Sequence, residues 1–75
     1  MIDFIMIEIE DPDSDLAEGH GCRPFVVAPA VGDVIVIDDE TYRGVFFKVI
    51  ARVLASPPTN AAGDLYVRRT ENRFD

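Results

Sequence analysis

The chain has 75 residues, a formal net charge of −7 and a single cysteine, Cys22, so it has room for one small domain over residues 1–75 and no intrachain disulfide. A domain of that size buries only about 60% of the surface its unfolded chain exposes and, without a disulfide, leans on a partner subunit or a metal for stability. The charge is uneven: Met1–Glu40 carries eleven carboxylates against Arg23 alone, whereas Thr41–Asp75 carries six basic residues against Asp64, Glu71 and Asp75. This disfavours direct contact with nucleic acid or an anionic membrane, both of which need a basic face, and suggests that the acidic half pairs with the basic one.

Residues 2–10 read as a strand, with Ile5, Ile7 and Ile9 on one face and Ile2, Phe4 and Met6 on the other. Asp3, Glu8 and Glu10 interrupt its apolar character and no basic segment precedes it, so the secretory-leader pattern is not met. No stretch reaches the roughly 18 apolar residues of a membrane span. With a lone thiol, the expected setting is the reducing cytoplasm.

Residues 11–24, rich in Asp, Gly and Pro, read as a long connection, followed by a short edge strand over Phe25–Ala28 between Pro24 and Pro29. Gly32-Asp33 turns into Val34–Ile37, a β-branched run and the clearest strand of the chain. Residues 42–55 fit a helical stripe as well as a strand; Val45, Val49, Ile50 and Val53 favour the strand, as does the lack of a good N-cap before Gly44. Residues 56–63 form a turn region, 64–70 a last alternating strand, and 71–75 a polar tail.

The expected fold is therefore all-β: a small antiparallel five-stranded barrel or strongly bent sheet. The stretch Val31-Gly32-Asp33-Val34-Ile35-Val36-Ile37-Asp38, followed by Tyr42 and a long strand, resembles the central meander of SH3-like small barrels over about half the chain. The resemblance implies a fold and no activity, because such barrels host many functions.

Several motifs suggest chemistry, and each is incomplete. Asp11, Asp13 and Asp15 begin like a calcium loop, but Leu16 stands where the turn needs glycine and Cys22 where the bidentate glutamate belongs. His20 and Cys22 suggest zinc, shared with Asp13, Asp15 or Glu18, or a nucleophilic pair; the ligand set and the catalytic partners are both short. Lys48 and Arg52, interleaved with Phe46, Ile50 and Leu54, read as basic side chains covering apolar surface, and Arg68-Arg69 as a salt-linked pair. No catalytic residue, metal or cofactor is expected.

What the pattern does ask for is a second copy. A lone barrel has one interior, yet several strands here are apolar on both faces. The expected function is a non-catalytic homo-oligomeric protein-interaction module, a homodimer or homotetramer, with Ile2, Phe4, Met6, Phe46, Ile50 and Leu54 at the subunit contact. One alternative is a small-molecule-binding protein with an interface pocket, and Tyr42, Tyr66, Asp13, Asp15 and His20 are the residues expected to touch a ligand or another protein. The other is an acidic nucleic-acid mimic using the carboxylates from Glu8 to Glu18.

Overall fold

The computed structural model describes residues 1–10, 16–55 and 61–71. These residues form five strands and no helix: β1 (Ile2–Ile9), β2 (Ala17–Phe25), β3 (Val34–Ile37), β4 (Val45–Leu54) and β5 (Gly63–Thr70). They make one sheet in the order β2-β1-β5-β4-β3, strongly curled into a half-barrel. β1–β2, β3–β4 and β4–β5 pair antiparallel, and β1 runs parallel to β5. The all-β, curled-sheet expectation holds, with the β1–β5 pair parallel rather than antiparallel, and within the ambiguous residues 42–55 Val45–Leu54 form strand β4.

Two irregularities bend the sheet. In the β1–β2 pair the register passes from Ile5↔Cys22 to Ile7↔Gly19, so His20 and Gly21 together oppose Met6. Gly21 has φ 78°, a left-handed conformation that glycine reaches without the steric cost of a Cβ. In β4 the register passes from Val49↔Val67 to Ala51↔Tyr66, leaving Ile50 as the extra residue. Such bulges raise local twist and let a sheet close on itself.

The concave face carries the core. Phe4 and Met6 of β1, Ile37 of β3, Phe47 and Val49 of β4, and Leu65 and Val67 of β5 are buried and in contact, with Phe25, Ile35 and Tyr42 packed against them. The rings of Phe4 and Phe25 meet edge to face at 6.2 Å. At Gly63, which pairs with Phe4 and Leu54, the backbones of β4 and β5 come so close that a side chain has no room.

The fold corrects two expectations. Residues 17–25 are a strand, not part of a connection, and of the expected strand over Phe25–Ala28 only Phe25 lies in a strand. Ala17–Phe25 is poor in strand formers and includes Pro24, but as an outer strand it is held by the ladder to β1. Phe4 and Met6, expected at a subunit contact, are 1% and 0% exposed and form the middle of the core. Their register with Gly63 and Leu65 puts them on the concave side, which leaves Ile5, Ile7 and Ile9 on the convex one.

Candidate functional site

The concave face ends in a polar mouth. Beyond Phe4 and Met6, the next β1 residue on that face is Glu8; beyond Leu65 and Val67 on β5 it is Arg69. From β2 the bulge at Gly21 turns His20 to the same side. The His20 side chain is fully buried, its ring centre 5.1 Å from Tyr42 and 5.3 Å from Phe47. Its Nε2 lies 2.9 Å from Glu8 Oε1. A carboxylate oxygen only accepts, so Nε2 donates to it, and Nδ1 is buried without a hydrogen-bond partner.

Arg69 completes this group by donating from Nη2 to Glu8 Oε1 at 3.1 Å, while its guanidinium stands 5.4 Å from the Phe47 ring centre and 5.9 Å from that of Tyr42. Arg23 also lies 5.9 Å from the Tyr42 ring and pairs with Asp39 Oδ2 at 3.0 Å. Asp39 in turn holds the loop before β4: Oδ1 accepts from the backbone N–H groups of Tyr42 (2.7 Å) and Thr41 (2.8 Å). These bonds stabilise its charged form, so the Asp39 carboxyl sits below its ordinary value, chiefly through the Tyr42 N–H, then Arg23 and the Thr41 N–H. Glu8–Arg69 joins the acidic and basic halves of the chain as expected, whereas Arg23–Asp39 lies within the acidic half.

Two hollows flank these groups. A groove of about 530 Å³ runs along the seam between the outer strands, lined by Arg23–Phe25 of β2, by β3 and by Asp38–Asp39. A smaller cavity of about 260 Å³, lined by Glu8, Ile9, Glu10, Leu16, Ala17 and Glu18, lies at the far end of the β1–β2 pair.

The expected site residues are scattered. Tyr42 packs on the concave side beside His20, whereas Tyr66, opposite Ile7, faces the convex side, so the two do not share a pocket. Phe46 and Ile50 are half-buried on the convex face, while Ile2 and Leu54, exposed, mark the rim of the concave one. Cys22 is exposed opposite Ile5, on the face away from His20, and this separates the pair on which the zinc and nucleophile readings rested. Asp13 and Asp15, and the calcium-like segment with them, lie outside the described residues. Sequence reasoning missed Glu8 and Arg69 as partners of His20. The available clue was strand alternation, which puts Glu8 on the same face as Phe4 and Met6.

Comparison with protein-family models, with curated proteins and with solved structures finds no match for this chain.

Proposed function

We propose that this protein is a non-catalytic, homo-oligomeric protein-interaction module, a homodimer or homotetramer in which a second copy covers the convex face of the sheet. The observation that carries this reading is the composition of that face. Ile5, Ile7 and Ile9 of β1, Tyr66 of β5, Phe46, Ile50 and Val53 of β4 and Val36 of β3 share it, and no other layer of the described residues packs over it. Ile5, Val36 and Val53 remain 41%, 57% and 53% exposed. Covering a fully exposed aliphatic side chain gains about 1.5–3 kcal/mol, and a closed symmetric oligomer is the usual way to cover such a face. Among the described residues no helix is long and apolar enough to cross a membrane, and the exposed free thiol of Cys22 fits a cytoplasmic setting.

Light scattering coupled to size exclusion, run on the protein across the micromolar range, tests this reading. A dimer or tetramer mass is expected, and a stable monomer throughout would overturn it. The small-molecule alternative places its pocket between subunits; within one subunit Tyr42, Tyr66 and Phe46 do not line the seam groove.

A further inference from the structure

We propose that Glu8, Glu18 and His20 bind a divalent cation of the zinc class at the mouth of the half-barrel. Glu8 and Glu18 are direct partners in the antiparallel β1–β2 pair. Like charges placed opposite one another repel, and a cation between them turns that cost into an attraction. His20 follows Glu18 by two residues on the same strand and shares its face, so the three side chains converge. One ligand atom from each lies within 4.8 Å of the other two.

His20 supplies an observation independent of the carboxylates. It is a fully buried imidazole whose Nε2 edge is held toward Glu8 between the Tyr42 and Phe47 rings. Donors on one tetrahedral zinc, at about 2.0–2.2 Å from the metal, stand about 3.3–3.5 Å apart. The Nε2–Oε1 separation of 2.9 Å therefore has to open by only a few tenths of an ångström. Glu18 is exposed and free to swing through the remaining distance. Zinc on Nε2 would displace the proton from that nitrogen and leave an N–H on Nδ1, buried without an acceptor, a cost that the metal bond has to outweigh.

The adjoining cavity, walled by Glu8, Glu10 and Glu18, has room for the water that would complete the coordination shell. An imidazole with two carboxylates suits zinc better than calcium or magnesium, which favour all-oxygen shells. Arg69, bonded to Glu8 Oε1, orients that ligand and opposes the cation, so it limits affinity without occupying the site.

The test is calorimetric titration of the metal-free full chain with zinc alone, with calcium and magnesium in parallel. One zinc per chain is expected, with neither hard cation bound at the same concentration. Glu18→Gln, an exposed change that leaves the fold in place, should weaken zinc at least tenfold, and His20→Gln should do the same. Arg69→Gln should tighten it several-fold, an effect that an adventitious surface site would not show. In the wild type, zinc should shift the His20 ring proton signals, which reads the site directly if His20→Gln fails to fold. No saturable uptake, equal binding of calcium, uptake that Glu18→Gln leaves unchanged, or loss of binding in Cys22→Ser would each overturn the proposal.

Discussion

His20 and Cys22, two residues apart on one strand, lie on opposite faces of the sheet because Gly21 between them takes a left-handed conformation and forms a bulge opposite Met6. In a regular strand, residues two apart share a face. The bulge instead sends the imidazole into the aromatic mouth and the thiol to solvent beside Ile5. The two groups therefore cannot work together. Alkylation of Cys22 should proceed at the same rate in wild type and His20→Gln, and Cys22→Ser should change stability by less than about 0.5 kcal/mol. A rate that falls several-fold without His20 would mean that the two side chains meet in solution.

The same bulge shows where the sequence was legible and where it was not. β1, β3 and β4 announce themselves through β-branched runs, because those side chains suit a pleated, packed surface, and β5 through the alternation of Leu65 and Val67 with Tyr66 and Arg68. Ala17–Phe25 does not: Gly19, Gly21 and Pro24 are poor strand formers, and the segment is a strand through its tertiary ladder to β1. The faces of β1 were ambiguous for a different reason. Both are apolar, so alternation could not tell core from surface, and only the register with β5 sets Phe4 and Met6 inward. His20 was visible as a candidate, but its partners come from 12 residues earlier in the chain and, through Glu8, from Arg69 near its end, separations that local spacing does not carry.

Gly63 should tolerate substitution worst among the glycines. A Cβ there would run into the Val53 carbonyl oxygen and come within 2.9 Å of Leu54 Cα, both backbone groups of the paired strand that cannot rotate away. Gly63→Ala should cost about 1–3 kcal/mol or more. Gly21→Ala meets no atom within 4 Å and carries only the penalty of its positive φ, about 1–2 kcal/mol. Urea unfolding of the two variants checks the order, and a smaller loss at Gly63 would refute the close approach.

Asp39 should make the loop before β4 acid-sensitive. Its folded carboxyl titrates below the unfolded value of 3.8, so its contribution to stability is fully present above that value and is lost as pH falls through the lower, folded one. Asp39→Asn should therefore be less stable than wild type at neutral pH, with the difference shrinking only below about pH 4. Unfolding midpoints between pH 2 and 7, together with an NMR titration of the Asp39 carboxyl, would check this. A titration midpoint above the unfolded value would show that the Tyr42, Thr41 and Arg23 bonds do not form.

The last prediction separates the core of β1 from its convex face, two sets of side chains that alternate along one strand. Phe4 is 1% exposed and packed on Phe25, so Phe4→Ala leaves a cavity and should cost about 3–5 kcal/mol. That is a large share of the roughly 4–11 kcal/mol expected for a chain of this length, and the variant should be largely unfolded or close to it. Glutamates at Phe4 and Met6 should abolish folding outright rather than release folded monomers. Ile5 and Val53 behave differently, because both are exposed and each sits opposite Asp64, one on either side of it. Lysines at these two positions would flank a carboxylate, so the isolated subunit should keep its fold, with a circular-dichroism spectrum like that of wild type. On the convex face, however, the double variant Ile5→Lys, Val53→Lys places two charges where the second copy is proposed to pack, and burying unpaired charge opposes association strongly. The expected outcome is a folded monomer by light scattering where wild type is a dimer or tetramer. If the double variant retains the wild-type oligomer mass, the convex face is not the contact, and the outer strands β2 and β3, which flank the seam groove, become the next place to look.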